Sequence, residues 1–191
     1  VECSETLEEV ADGSERGTKA MAQGTRETIS PDLATLDAIA EGSGFHPARD
    51  HDSHAVALSE VNRAIALGGS LYPDHVIFLG TEIGVLQDGQ SAADFQAALH
   101  NEGRDVPKML IVPDKGVLLS SSLTAGGEVM ARCLAEVVGR IPSESNVVYL
   151  SESDEYELMN WEAELYRQAL ERESARATAA PSILDQPSTL D

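Results

Sequence analysis

Aromatic residues and cysteines are scarce in this 191-residue chain. Phe, Trp and Tyr together make up 4% of the residues, so any core must be built mainly from the aliphatic side chains within the 42% hydrophobic fraction. The only cysteines, Cys3 and Cys133, form neither a disulfide framework nor the CxxC spacing of a zinc site. This usage is typical of a reducing compartment, and we expect a cytoplasmic protein.

Basic residues and long apolar runs are also lacking. The chain has 13 Lys and Arg against 33 Asp and Glu, which gives a formal net charge of −20. Nucleic acids and anionic membranes are bound through basic surfaces, so we expect neither as a partner. No stretch approaches the roughly 18 to 20 consecutive apolar residues that a membrane-spanning helix needs.

Composition divides the chain into three parts. Residues 1–29 are polar and have no sustained apolar face, which indicates a linker or the remnant of a preceding segment. Residues 30–173 carry regular apolar patterns and predict an α/β domain. Residues 174–191 lack periodicity and contain two prolines, which predicts a disordered tail.

The apolar patterns within residues 30–173 alternate between helical and strand-like spacing. Two helices are expected first, one starting at Ser30-Pro31 and one carrying the apolar residues from Val56 to Leu67. Short apolar runs between turns then predict strands at 75–80, 83–87, 108–112, 117–120 and 146–150, with helices after the second, fourth and last. The expected fold class is α/β, a three-layer-like arrangement of a small mixed sheet with flanking helices.

Three short motifs follow one another in the order found in the class II aldolase/adducin family. They are Tyr72-Pro73-Asp74-His75, Val112-Pro113-Asp114-Lys115-Gly116, and an acidic helix start at Ser153 that leads to Trp161. Residues 42–170 resemble the distal part of the aldolase region in aldolase–dehydrogenase fusion proteins. The resemblance implies a class II aldolase-like fold and metal-dependent aldol cleavage of a sugar or sugar phosphate, with a divalent metal, zinc, expected in a complete family member.

The metal ligands of that family are not matched here. In the family an apolar strand runs into Asn-His-Gly, whose His binds the metal, whereas Lys115 occupies that position in this chain. A protonated lysine has no lone pair to donate. The family's His-x-His is also missing from these residues, so we expect no metal or other cofactor in this chain. The metal-bearing half is expected upstream of Val1, and the expected partner is that half or further copies in a homo-oligomer.

The Tyr72–His75 element is the strongest candidate site. His75 is predicted to act as an acid or base or to bind a sugar hydroxyl, with Asp74 fixing its tautomer. The alternative is a simple turn in which Pro73 fixes φ and Asp74 bonds to backbone amides. Gly69, Ser70 and Tyr72 are the candidate substrate-binding residues.

Two other polar groups have a simpler explanation. The segment entering the second helix holds the densest set of potential metal ligands, but a loop lacks the rigid scaffold of a metal site, and a solvated loop is expected. The set comprises His46, Asp50, His51, Asp52 and His54. Residues 120–124 could bind a phosphate at the start of a helix, although helix capping is expected there.

Three functions follow as alternatives. The first is the distal portion of a metal-dependent aldolase, inactive by itself. The second is an adducin-like assembly module that has lost the metal. The third is an independent small-molecule-binding domain that uses the turn at 68–70.

Overall fold

The computed structural model of the protein describes residues 30–161 and 168–173. The predicted linker and the predicted tail lie outside these ranges. The elements, in chain order, are α1 Leu33–Ala40, β1 Phe45–Pro47, a 3₁₀ turn His51–His54, α2 Ala55–Leu58, α3 Glu60–Leu67, a π turn His75–Leu79, β2 Gly84–Val85, α4 Ala92–Asn101, β3 Met109–Val112, β4 Gly116–Ser120, α5 Ala125–Val138 and α6 Glu152–Met159. Residues 168–173 are also helical.

The four strands form one mixed sheet in the order β1-β4-β3-β2. β3 and β4 are a hairpin, β1 pairs antiparallel with β4, and β2 pairs parallel with β3. The predicted small mixed sheet with flanking helices is confirmed. Three of its strands were predicted from their apolar runs, whereas β1 lies in a segment that was expected to be a polar loop.

Helices cover both faces of the sheet because β3 and β4 are apolar at every inner position. Met109 and Ile111 pack in one aliphatic cluster with residues of α2, α3 and α5. Leu110 and Val112 pack in a second cluster with residues of α1 and α4. Successive side chains of a strand point to opposite faces, so the alternation places the two clusters on opposite sides of the sheet.

The predicted strand at 75–80 is wrong. His75–Leu79 forms a single π-helical turn in which four of the five side chains are buried. A short apolar run has no periodicity that distinguishes a buried strand from a buried helical turn. Gly80, at φ +90°, then ends the turn and donates its N–H to the Val76 carbonyl.

The predicted strand at 146–150 is also wrong. This segment is irregular, Val148 is 81% exposed, and the Leu150 N–H donates to the Ser70 carbonyl without forming a ladder. Because the first of these errors removes a strand, only the second of the two predicted runs of two strands and a helix is present, as β3, β4 and α5.

Helix boundaries differ from the sequence expectations at two places. Asp32, rather than Ser30, caps α1 by accepting the Thr35 N–H. The second predicted helix is divided at Ser59, whose side chain caps α3. Trp161, at the end of the third motif, is 60% exposed. None of the helices in the described ranges combines the length and the apolar character needed to cross a bilayer.

Candidate functional site

The connection from α3 to the π turn is held in place by residues 149–150. The Tyr149 hydroxyl donates to the Ile65 carbonyl at 3.0 Å, and the Leu150 N–H donates to the Ser70 carbonyl at 2.9 Å. The Tyr149 ring lies directly on Gly68 and Gly69, where no Cβ could fit without displacing it. These contacts fix Ser70 beneath the surface, so the turn predicted as a binding element is rigidly covered on one side.

His75 is buried at the start of the π turn, with 1% of its surface exposed. The Leu71 N–H donates to Nδ1 over 3.4 Å, which leaves the ring proton on Nε2. Burial lowers the pKa of His75 to about 4, so the imidazole is neutral at pH 7. His75 is therefore a hydrogen-bond donor through Nε2–H and not a titrating acid near neutrality.

Three buried polar atoms around His75 have no hydrogen-bond partner in the described part of the chain. They are Ser70 Oγ, Tyr72 Oη and His75 Nε2. The Tyr72 and His75 rings lie 5.8 Å apart. Burial raises the pKa of the Tyr72 phenol, and the nearby Cys133 thiol raises it further without making a hydrogen bond of standard geometry. A buried polar group without a partner typically destabilises a fold by about 1–3 kcal/mol. Three such groups in one region therefore indicate a role other than stabilising the fold.

A small cavity of about 230 Å³ lies beside His75. Its wall also contains Gly69, Thr81, Glu82 and Arg104. The Arg104 guanidinium donates to Glu82 Oε2 at 3.2 Å, so this ion pair forms one side of the opening. The cavity thus combines a buried neutral donor with a carboxylate, a guanidinium and a hydroxyl at its rim.

The predicted site residues differ in how deeply they are buried. Ser70 and His75 are buried, Tyr72 is half-buried, and Gly69 lines the cavity. Asp74 is exposed at the start of the π turn and makes no side-chain cap there. The tautomer of His75 is fixed by the Leu71 amide and not by Asp74. A catalytic role for Asp74 and His75 stays a prediction.

The histidine-rich segment before α2 has a structural role. His54 is 1% exposed, and its Nε2–H donates to the Ala48 carbonyl while Nδ1 accepts the Val117 N–H, both at 3.0 Å. Burial lowers the pKa of His54. The His46 ring bonds through Nδ1 to the Pro47 carbonyl at 2.9 Å. No group of three His, Cys, Asp or Glu side chains within residues 30–161 and 168–173 is placed to hold a metal ion.

Two further predicted elements have local partners. Thr124 caps α5 by accepting the Gly127 N–H at 3.3 Å, and the Ser120 and Ser122 hydroxyls bond to each other at 2.8 Å. Lys115 lies in the β3–β4 hairpin, where its carbonyl accepts the Asp32 N–H. Its position is therefore that of a turn residue beside α1.

The sequence analysis did not find Glu82, Arg104 and Lys108 as site residues. Glu82 follows the π turn, Arg104 follows α4, and Lys108 precedes β3, so only the fold brings them to neighbouring cavity walls. The sequence feature that could have indicated one of these residues was the position of Lys108 immediately before the apolar residues of β3. Comparison of the chain with protein-family models, curated proteins and solved structures finds no match.

Proposed function

We propose that residues 30–173 form the small-molecule-binding portion of a class II aldolase-like protein, and that the cavity beside His75 takes a short hydroxy-carbonyl compound of the sugar type. The observation that supports this most is the buried Nε2–H of His75, a residue that lines the cavity, because this donor has no hydrogen-bond partner among the described residues. A ligand oxygen would supply the missing acceptor. The Tyr72–His75 element, on which the resemblance to the family rests, contains this donor.

The chemistry of the walls supports a ligand that bears both hydroxyl and carbonyl oxygens. The neutral His75 donor suits a carbonyl or hydroxyl oxygen, and a neutral imidazole can polarise a carbonyl without transferring its proton. Glu82 can accept from hydroxyls, while Arg104 can donate to a further oxygen. This set of donors and acceptors fits a polyol-like compound better than an apolar one.

The size of the cavity limits the ligand. Its volume of about 230 Å³ corresponds to roughly seven or eight water molecules at about 30 Å³ each. A compound of three or four carbons with its oxygens fills such a space. We therefore propose a triose or tetrose fragment rather than a complete hexose.

The proposal for these residues is binding, because their donor set does not fit the divalent metal that the family resemblance implies. Lys115 stands at the position of the family's histidine, and both ring nitrogens of His54 are used in backbone hydrogen bonds. No catalytic step through a metal is derived for this chain. Cleavage would require ligands outside residues 30–173.

The test is isothermal titration of the 191-residue chain with dihydroxyacetone and with glycerol, which has the same carbon count but no carbonyl. We expect dihydroxyacetone to bind more tightly. His75→Phe keeps the ring and its contact with Tyr72 but removes the donor, and we expect about tenfold weaker binding, the effect of one hydrogen bond. His100→Phe, at an exposed position on α4, is the matched control and should bind as the wild type does.

Equal binding by wild type and His75→Phe would contradict the proposal. That outcome would favour the second candidate, an adducin-like assembly module that forms homo-oligomers. The observation on its side is the exposure of large apolar side chains on and after α6, with Tyr156 71% and Trp161 60% exposed.

A further inference from the structure

Lys108 is a half-buried lysine without a carboxylate partner. It immediately precedes β3, and its Nζ donates to the Phe78 carbonyl at 3.2 Å. Among residues 30–161 and 168–173 this is its only side-chain hydrogen bond, and no ion pair reaches it.

The Lys108 side chain lies in the walls of two cavities. The larger, of about 460 Å³, also contains Thr81, Glu82, Arg104 and Asp105. The smaller, of about 220 Å³, contains Glu171 and Arg172. The larger cavity shares Thr81, Glu82 and Arg104 with the wall of the His75 cavity, so the two cavities are neighbours.

The surroundings of Lys108 make its ammonium easier to deprotonate than that of an exposed lysine. Burial lowers the pKa of the Lys108 ammonium, and the Arg172 charge lowers it further. Only the uncharged amine has a lone pair, and lysines used as nucleophiles in proteins are activated by desolvation or by a neighbouring cation. Both conditions are met here.

We propose that Lys108 forms an imine with a small uncharged aldehyde or ketone that enters the larger cavity. The carboxylates of Glu82 and Asp105 in the same wall disfavour an anionic compound, and the cavity is open to a molecule of several carbons. This site rests on the position of Lys108 and not on the unpartnered donor of His75. It is therefore a second inference that does not depend on the proposed binding function.

The reaction is a condensation that needs no oxidant or reductant. The Nζ lone pair attacks the carbonyl carbon, and the electrons of the C=O π bond move to the oxygen, which takes up a proton. The nitrogen of this carbinolamine loses its protons as the hydroxyl leaves as water, and the C=N bond forms. One amine and one carbonyl compound give one imine and one water molecule.

The test uses the other two lysines of the chain, Lys19 and Lys115, as internal controls. The complete 191-residue protein is incubated with glycolaldehyde and cyanoborohydride, which converts an imine to a stable secondary amine, and the labelled lysines are located by peptide mass spectrometry. We expect the label to be concentrated on Lys108 relative to Lys19 and Lys115. An even distribution over the three lysines would overturn the proposal without the use of any variant.

Two charge-preserving variants sharpen the result. Lys108→Arg should lose most of the label, whereas Lys115→Arg, at the hairpin turn, should keep it. Unchanged total labelling in Lys108→Arg would overturn the assignment. The His75→Phe variant should keep the Lys108 label even if it no longer binds dihydroxyacetone, and loss of the label there would overturn the assignment of a separate site.

Discussion

His54 and His75 occupy different regions of the molecule but have the same burial, each with 1% of its surface exposed. In the region before α2, both ring nitrogens of His54 bond to the backbone, one to Ala48 and one to Val117. In the π-turn region, the Leu71 amide bonds to Nδ1 of His75, and Nε2 has no partner among the residues that the structure describes. Burial lowers the pKa of both rings, so neither the exposure nor the pKa direction distinguishes them.

The number of satisfied nitrogens distinguishes the two histidines. His54 joins the loop at Ala48 to β4 and completes the hydrogen bonding of both, so its contribution is to the fold. His75 retains a donor that the fold does not use, beside a cavity with polar walls. A buried donor without a partner destabilises the unliganded protein, and a ligand that accepts from it recovers that free energy on binding.

The largest expected effect tests the packing of the His54 region. In Gly116→Ala the added Cβ would lie 2.6 Å from His54 Nδ1 and 2.7 Å from Leu36 Cδ1, at a φ of +148°. We expect the free energy of unfolding to fall by about 4 kcal/mol, measured by urea denaturation. Gly89→Ala, at φ +73° with open space around it, is the control and should lose only about 1 kcal/mol. Equal losses would mean that the His54 contact is loose.

The second effect compares the two histidines directly. His54→Phe leaves the Ala48 carbonyl and the Val117 N–H without partners, and we expect a loss of about 3 kcal/mol in the free energy of unfolding. His75→Phe removes an Nε2 donor that has no partner among the described residues and one 3.4 Å acceptor contact with the Leu71 N–H, so we expect its stability to fall by no more than about 1 kcal/mol. If urea denaturation shows the reverse order, the distinction between the two regions is wrong.

The third and smallest effect is the pH dependence of stability that His75 causes. Its pKa is about 4 in the folded protein against an ordinary 6.5, so the unfolded chain binds more protons between these values. The stability that depends on neutral His75 is present above pH 6.5 and is lost as the pH falls toward 4. Between pH 7 and pH 5 the loss from this residue is about 2 kcal/mol.

The measurement is urea denaturation at pH 7 and pH 5 for wild type and His75→Phe. The variant should lose less stability on acidification, by about 2 kcal/mol, because phenylalanine does not titrate. His54 continues to titrate in both proteins and serves as the internal reference. Equal losses in the two proteins would show that His75 is accessible to protons in the folded state.

Much of the fold follows from local patterns. β3 and β4 were predicted from apolar runs around a turn, and α5 from its helical spacing and from Thr124 at its start. The strand at 75–80 was wrongly predicted because a short apolar run has no periodicity that separates a strand from a helical turn. The strand at 146–150 was wrongly predicted because the apolar run there remains partly exposed. β1 was missed because its three residues, Phe45–Pro47, are too few to show an alternation.

The candidate site was predicted in part. Ser70, Tyr72 and His75 lie within six residues of one another, and the sequence analysis selected all three. Glu82 and Arg104 are separated by 22 positions along the chain, and only an ion pair in the folded protein joins them. Charged residues in loops have no local signal that indicates their partners, because loop closure depends on the elements on either side.

The sequence by itself determined the α/β class, the aliphatic core and the grouping of polar residues at 70–75, because these depend on residue type and short-range spacing. Only the tertiary structure decided which buried histidine keeps a donor without a partner among the described residues, and which lysine lines a cavity without an ion pair there. Those outcomes depend on the partners that distant segments bring, Val117 to His54 but none to His75 Nε2 within the described residues. Hydrogen-bond satisfaction is a property of the packed chain, and residue identity alone does not fix it.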